Sequence, residues 1–178
     1  MLNIIAVVAV IAVAGLLAYA ATRPGTLRVE RSATIAAPAG RIFPHIAELR
    51  AWGAWSPWEK KDPAMKRTFE GPASGKGAIY AWSGNKNVGS GRMEITEAAP
   101  PGRIVIRLDF LTPFEAHHTA EFTLEPRNDA TRVVWVMHGP QAFLSKLMGI
   151  FMNMDRMIGS DFEAWLASLK ALAEKPAG

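Results

Sequence analysis

The chain contains no cysteine among its 178 residues. This absence excludes disulfide bonds, thiolate metal sites and cysteine nucleophiles, whichever side of a membrane the chain occupies. The HExxH and HxxxH spacings of zinc sites and the GxGxxG and GxxxxGK[ST] loops of phosphate sites are also missing. We therefore expect no metal and no cofactor, and we interpret the glycines of 71–77 as part of a hairpin turn.

Clustered positive charge is missing as well. The formal net charge is +4, and the lysines and arginines do not form runs. Nucleic-acid binding requires clustered cations, because the affinity comes largely from neutralised phosphates, so we expect no nucleic-acid partner. The composition, 49% apolar and 20% charged residues, is typical of one globular domain with a short appendage.

The appendage is the apolar run at 2–21, in which Asn3 is the only strongly polar side chain. A helix rises about 1.5 Å per residue, so this run can span the roughly 30 Å core of a bilayer. We interpret it as a transmembrane helix. A cleaved secretory signal is the alternative, because residues 18–20 resemble a small-x-small cleavage site; no lysine or arginine precedes the run, which argues against it.

Arginines follow the apolar run and bear on its orientation. Arg23, Arg28 and Arg31 lie shortly after it, and the positive-inside rule then weakly favours a cytoplasmic domain behind a single-pass anchor. These cations would lie near lipid headgroups, although a solvated surface with no lipid role is equally compatible. The predicted boundaries are a transmembrane helix at 2–21, a linker at 22–26, a ligand-binding domain at 27–174 and a tail at 175–178.

Turn residues divide the domain into short pieces typical of an antiparallel meander. We expect a first strand at 26–37, followed by an amphipathic helix that Pro44 shortens or kinks. Residues 143–174 have no internal proline and carry apolar side chains at helical spacing, which predicts one long helix. The other strands are expected at 67–71, 77–83, 89–98, 102–111, 114–126 and 130–138.

These elements predict an α+β domain in which a bent antiparallel sheet wraps around the long C-terminal helix. Such a sheet leaves a cavity lined by the inward side chains of both. In 114–124, alternation places on the inward face Phe114, Ala116, His118, Ala120, Phe122 and Leu124. On the other strands, the same alternation places on the inward face Tyr80, Trp82, Met93, Ile95, Ile104, Ile106, Leu108, Phe110, Val133, Trp135 and Met137.

Six segments together resemble the START-like or SRPBCC superfamily and, within it, bacterial proteins labelled polyketide cyclase/dehydrase-like. They are RVERSATIAAPAGRIF, WGAWSPWEKKDP, FEGPASGKGAIYAWSGN, VGSGRMEITEAAPPGRI, TRVVWVMHG and MIGSDFEAWLASLK. The resemblance covers about 27–172. It implies the helix-grip fold, a hydrophobic ligand cavity and, for the anchor, a bacterial inner membrane. It implies no shared catalytic residue that can be placed on this sequence.

His118 is the candidate for chemistry, because an imidazole on an apolar inward face can act as acid or base or hold a ligand's polar group. A core histidine hydrogen-bonded to a neighbour is the alternative. His117 faces the other way and is expected in solvent. Glu70 and Asp161 are the other charges that can reach the cavity, but we expect them to form ion pairs. The arginines available for pairing are Arg92, Arg107 and Arg156.

The stretch WGAWSPWEKKDP at 52–63 is too broken by sequence to be a regular helix or strand. We expect it to close the open end of the cavity, with Trp52 and Trp55 as buried plugs and Trp58 as a lid or membrane contact. The alternative is that all three complete a small core.

The sequence predicts a membrane-anchored domain that binds a hydrophobic small molecule or lipid. One alternative is a cyclase or dehydratase acting on an apolar, polyketide-like substrate through His118 and Tyr80. Another is a protein-interaction module with an exposed tryptophan or methionine patch. Met148 and Met152 would form a cavity mouth, a membrane-facing patch or ordinary core. The predicted ligand-binding residues are Trp55, Trp58, Tyr80, Trp82, Phe110, His118, Phe122, Trp135, Met137, Met154 and Phe162.

Overall fold

The computed structural model describes residues 2–176, and within them one antiparallel sheet of seven strands follows an N-terminal helix. The helices are α1 (Leu2–Thr22), α2 (Ala39–Ala47), a 3-10 helix (Leu49–Ala54), α3 (Trp58–Lys61), α4 (Phe143–Phe151) and α5 (Met154–Ala173). The strands are β1 (Thr26–Ile35), β2 (Lys66–Glu70), β3 (Ile79–Ser83), β4 (Ser90–Ala99), β5 (Arg103–Thr112), β6 (Ala116–Arg127) and β7 (Ala130–Pro140).

The strands lie in the order β1-β7-β6-β5-β4-β3-β2, and every neighbouring pair is antiparallel. Strands β2 to β7 follow one another as hairpins, whereas β1 returns to pair with the last strand and matches Val29 with Met137. Register shifts after Ser90 and after Ile95 interrupt the β4–β5 ladder, and such irregularities bend a sheet. The curved antiparallel sheet confirms the predicted architecture.

Helix α5 packs on the inner face of this sheet, against β1 and β7. Leu166 and Phe162 are buried there, and the Phe162 ring stacks on Trp135 of β7 with 3.9 Å between ring centroids. At the edge, Arg31 of β1 pairs with Glu163 of α5, with 2.8 Å between Nε and Oε1. The long C-terminal helix held by the sheet confirms the helix-grip fold.

The prediction of one unbroken helix over 143–174 is wrong. Met152 is extended, with φ −128° and ψ 134°, and it ends α4. Asn153 then begins α5, because its side-chain oxygen accepts a hydrogen bond of 2.9 Å from the backbone N–H of Arg156. This cap satisfies a donor that the first turn of a helix leaves free. Helix α4 therefore does not follow α5 across the sheet, and no α4 residue is buried.

The segment 52–63 is more regular than predicted. The 3-10 helix continues through Trp52, and α3 forms one further turn from Trp58. The backbone N–H of Trp55 bonds to the carbonyl of Trp52 at 3.1 Å. Such local bonds need only a few residues, so they arise without the amphipathic period that identifies a long helix.

Most element bounds lie within a few residues of those predicted. Helix α2 is short, as Pro44 suggested, and Pro38 is its N-cap. Strand β6 begins at Ala116 and not at 114. Phe114 consequently lies in the β5–β6 turn and is 66% exposed, so its predicted place on the buried face of the strand is wrong.

Helix α1 extends from the domain with most of its apolar side chains exposed, as for Ile4 and Val10 at 68%. It is the one helix in residues 2–176 that is long and apolar enough to cross a membrane, by length and composition. Its C-terminal end packs on α4, and Ala20 is fully buried. Beyond it, the carbonyl of Gly25 accepts a hydrogen bond of 2.9 Å from the backbone N–H of Gln141, so the link to the domain is short.

Candidate functional site

A cavity of about 760 Å³ lies between the sheet and the helices α3, α4 and α5. Its volume is in the range of small-molecule sites, and its wall is mostly apolar with a few polar groups. The wall includes most of the residues that the sequence predicted to bind a ligand, namely Trp58, Tyr80, Trp82, Phe110, His118, Trp135, Met137, Met154 and Phe162.

Trp55 and Phe122 do not line this cavity and lie in the core behind its wall. The indole N–H of Trp55 donates to the carbonyl of His45 at 3.0 Å, and the ring of Phe122 stacks on Trp135 with centroids 4.8 Å apart. Alternation identifies side chains that face inward, but other core residues cover some of them. Trp52, predicted as a plug, is buried and reaches the cavity wall.

His118 faces the cavity from β6, as predicted. Its ring lies against Gly139 of β7, where a side chain would come within 2.7 Å of the imidazole Cδ2. Its Nδ1 atom is buried and has no hydrogen-bond partner among the described residues. Burial, assisted by the charges of His117 and His138, lowers the pKa of His118 below its usual value of 6.5. At neutral pH the imidazole is therefore uncharged and has a free nitrogen.

Trp135 supplies a second polar atom without a partner. Its side chain is 4% exposed and is held between the stacked rings of Phe122 and Phe162, and its indole N–H finds no acceptor among residues 2–176. Trp135 pairs across the sheet with Phe122, four residues beyond His118, so the backbones of the two residues are offset by roughly 13 Å along the strands. Buried polar atoms of this kind are usually satisfied by a ligand or by water.

A third polar feature of the wall is formed by Glu59 and Tyr80, which are linked to Arg67 outside the wall. The Tyr80 hydroxyl donates to Glu59 Oε1 at 2.5 Å, and Arg67 Nε donates to Glu59 Oε2 at 2.5 Å. Burial first, and then the hydrogen bond to Glu59, raise the pKa of Tyr80 far above its usual value. Tyr80 therefore stays a neutral phenol.

Glu59 was missed at the sequence level. It stands in the charged run that ends WGAWSPWEKKDP, and such runs usually face solvent. Helix α3 instead turns its side chain inward, where it is 9% exposed. The available signal was its place next to Trp58, in a turn that also carries a large aromatic side chain.

Of the two charges expected to pair, only Asp161 does, and not with one of the expected arginines. Asp161 of α5, which lines the cavity, lies 3.6 Å from Lys61 of α3. Glu70 is exposed at the end of β2 and forms no ion pair within residues 2–176, so its predicted pairing is wrong. Arg92 and Arg107 both pair with Glu94, at 3.0 and 2.7 Å, on the solvent side of the sheet.

His117 points to solvent, in accord with strand alternation. Its Nδ1 lies 2.8 Å from Asp109 and its Nε2 lies 3.2 Å from Glu115. The hydrogen bond to Asp109, followed by that to Glu115, raises the pKa of His117. Within residues 2–176 no group of three or more acidic or histidine side chains could hold a metal ion.

The mouth of the cavity is formed by the β5–β6 turn and α4. Pro113 and Phe114 line it on one side, and Leu144 and Met148 line it on the other. Met148 and Met152 are both exposed, at 40% and 45%. Of the locations considered for these two methionines, ordinary core filling is therefore wrong.

Comparison with known proteins identifies the family. Residues 26–174 match the family model described as polyketide cyclase / dehydrase and lipid transport. Zhui aromatase/cyclase from Streptomyces sp. R1128 is similar in structure, with a TM-score of 0.62 and 16% identity over 86% of this chain and 98% of that one. Protein CV1439 from Chromobacterium violaceum gives a TM-score of 0.59 and 16% identity over 86% and 99%. The Aha1 dimer from Colwellia psychrerythraea gives 0.58 and 17% over 85% and 99%.

No curated protein matches the chain significantly by sequence. At identities below a fifth, the solved structures show a common fold and leave the chemistry open. The family match covers the whole domain. It runs from the first residue of β1 to the residue after α5 and so includes the whole cavity wall. The chain therefore belongs to the polyketide cyclase/dehydrase and lipid transport family.

Proposed function

We propose that this chain is a membrane-anchored domain that binds a hydrophobic small molecule or lipid in the cavity between its sheet and α5. The observation that carries the proposal is an apolar cavity of about 760 Å³ with two buried polar atoms, His118 Nδ1 and Trp135 Nε1, that lack protein partners. A ligand that suits this wall is mostly apolar and has an oxygen that can accept the indole N–H.

The exposure of the α1 side chains supports a membrane anchor. A helix from the core of a soluble protein has a buried face, whereas the side chains of α1 are largely uncovered. A signal sequence would have the same length and composition, but α1 packs on α4, as expected for a helix that is retained. Arg23, Arg28 and Arg31 directly follow it and favour a cytoplasmic domain.

The test is ligand uptake by the full chain in lipid nanodiscs, read by native mass spectrometry and by displacement of a dansylated undecanoic acid. Trp135→Phe keeps an aromatic ring in the wall but removes the N–H, and loss of one hydrogen bond should weaken binding roughly two- to tenfold. Trp55→Phe is the matched control, because its N–H is bonded in the core away from the cavity. Absence of any uptake by the wild-type chain would reject the proposal.

A cyclase or dehydratase is the second candidate, and one observation favours it. His118 lines the cavity and is uncharged at neutral pH, which suits a general base. On this candidate, His118→Ala abolishes turnover of an apolar, polyketide-like substrate while the fold persists. On the binding proposal, the same variant changes affinity alone. An interaction module would be favoured by a filled cavity and an apolar outer surface; the second condition is met, but the open cavity favours ligand binding over it.

A further inference from the structure

Six large apolar side chains are exposed together around the cavity mouth. We call them the mouth face: Leu111, Phe114, Phe143, Leu144, Met148 and Phe151. Their exposed fractions run from 40% for Met148 to 73% for Phe151. An apolar surface of this kind, outside the core, marks contact with another apolar partner.

The α4 part of the mouth face is arranged on one side of its helix. At 100° per residue, Phe143, Leu144, Met148 and Phe151 fall within an arc of roughly 140°. Lys146 lies outside this arc. An amphipathic helix with an uncovered apolar side and a cation beside it is typical of helices that lie in the surface of a bilayer.

The position of α1 indicates that the apolar partner of the mouth face is the bilayer. The carbonyl of Gly25 is bonded to the backbone N–H of Gln141, just before α4, and α1 packs directly on α4. Ala20 is fully buried and Leu16, one turn earlier, is partly buried. The contact between the two helices therefore involves the last two turns of α1.

The length of α1 then sets the depth of α4. Its 21 residues measure about 31 Å, so the whole helix is needed to cross a hydrocarbon core of roughly 30 Å. Ala20, two residues before the end of the helix, consequently lies about 3 Å from the boundary between acyl chains and headgroups, and Leu16 lies about 6 Å deeper among the acyl chains. Since α4 packs beside them, α4 lies at this boundary and just below it.

We infer that the mouth face is inserted into the bilayer surface, so that the cavity opens onto lipid acyl chains and not onto water. This inference rests on the proposed function, since it takes α1 to be a retained anchor. The charges at the edge of the face agree with it: Arg23 and Lys146 lie where phosphate headgroups would be. The nearby acidic groups Glu115 and Asp155 are paired with His117 and Arg31.

The absence of cysteine allows a direct test. Single-cysteine variants Leu111→Cys and Phe151→Cys of the full chain are labelled with the fluorophore NBD and placed in phosphatidylcholine/phosphatidylglycerol nanodiscs. Both sites belong to the mouth face, and neither lines the cavity. Asp129→Cys is the control, since it is exposed in the β6–β7 turn, at the opposite end of β6.

The expected result is blue-shifted emission at Leu111 and Phe151 that doxyl-labelled lipid quenches, with water-like, unquenched emission at Asp129. Water-like emission at all three sites would overturn the inference. Blue-shifted emission that lipid does not quench would also overturn it, because a second copy or a protein partner would then cover the face.

A kinetic measurement separates this inference from the proposed function. In nanodiscs, Phe143→Ser combined with Phe151→Ser should slow loading of the dansylated undecanoic acid about fivefold and leave its equilibrium affinity within about twofold. Unchanged loading kinetics count against a lipid-facing mouth. Failure of the wild-type chain to bind the probe would count against the proposed function, whereas the quenching pattern would still test the position of the mouth face.

Discussion

His118 owes its position in the cavity wall to a residue on the next strand. Gly139 of β7 has no side chain, and the imidazole occupies the space that a Cβ atom there would need. The ring therefore lies close to the sheet, with Nδ1 out of water and without a partner in the described chain. Burial disfavours its charged form, so His118 should couple the stability of the domain to pH.

We predict that the difference in free energy of unfolding between the wild-type chain and His118→Gln depends on pH. The folded-state pKa of His118 lies below the unfolded value of about 6.5, so the unfolded state binds the proton more readily. The contribution of the neutral histidine is complete above pH 6.5 and is lost as the pH falls toward the lower folded pKa. From pH 8 to pH 5, the free energy of unfolding of the wild-type chain should therefore fall relative to that of the variant.

Unfolding monitored by near-ultraviolet circular dichroism at both pH values measures this difference. His45 also has a pKa lowered first by burial, but it is present in both chains and its contribution cancels in the comparison. His117, whose pKa is raised, is also in both chains, and its electrostatic coupling to His118 is part of the measured difference. A difference that is the same at pH 8 and pH 5 would contradict the prediction.

The sequence predicted the inward side chains better than the polar ones. A strand alternates with a period of two, so Trp82, Phe110 and His118 could be placed on the cavity side from their positions alone. Glu59 could not be placed, because its partners Tyr80 and Arg67 are on later strands and nothing local distinguishes it from a solvated charge. Contacts between distant segments decide which charged residues are buried.

The break between α4 and α5 is the element on which the site depends most. It turns α4 away from the inner face of the sheet and toward the mouth of the cavity, where α1 meets it. Apolar residues continue at helical spacing across Met152 and Asn153, and neither proline nor glycine marks the boundary. Helical periodicity therefore predicted one helix, although Asn153 is a favourable N-cap residue.

We predict that Asn153→Ala lowers the free energy of unfolding by about 1 kcal/mol, because the first turn of α5 loses its side-chain acceptor. Thermal unfolding of the full chain in nanodiscs measures the loss. Ser168→Ala is the control, since Ser168 lies within α5, away from its first turn, and its hydroxyl donates only to the carbonyl of Ala164. Equal losses in the two variants would argue against a capping role.

The strands were predicted from their turns. Glycine, proline and asparagine separate the hairpins at regular intervals, so most strand bounds were found to within a few residues. The register shifts in the β4–β5 ladder have no comparable signal, because an extra residue in one strand leaves the sequence pattern almost unchanged.

At the scale of the whole molecule, two segments at opposite ends of the domain determine where the cavity opens. Strand β1 follows α1 after three residues and pairs with β7, which leads into α4. The start of the domain and the cavity mouth are thereby brought next to α1. Alternation and turns predicted a sheet with a cavity, but this proximity arises from the β1–β7 pairing, whose partners are far apart in sequence.

We predict that the domain lies on the cytoplasmic side of the membrane. In spheroplasts of a bacterial expression host, a membrane-impermeant maleimide should label Asp129→Cys only after lysis. Asn3→Cys, at the other end of α1, should be labelled in intact spheroplasts. The reverse pattern would place the domain outside, and labelling of neither site in lysed cells would show that the thiols are covered.

Because the connection between α1 and β1 is short, binding should depend on the concentration of the ligand in the lipid and not on its total concentration. Three residues separate the helix from the sheet, so an anchored domain can sample only the small area of leaflet around its own helix. A ligand that enters from the bilayer is then encountered by diffusion in two dimensions. Occupancy of the cavity should follow the mole fraction of the ligand in the lipid, and adding empty vesicles that dilute the ligand should empty the cavity even at constant total concentration.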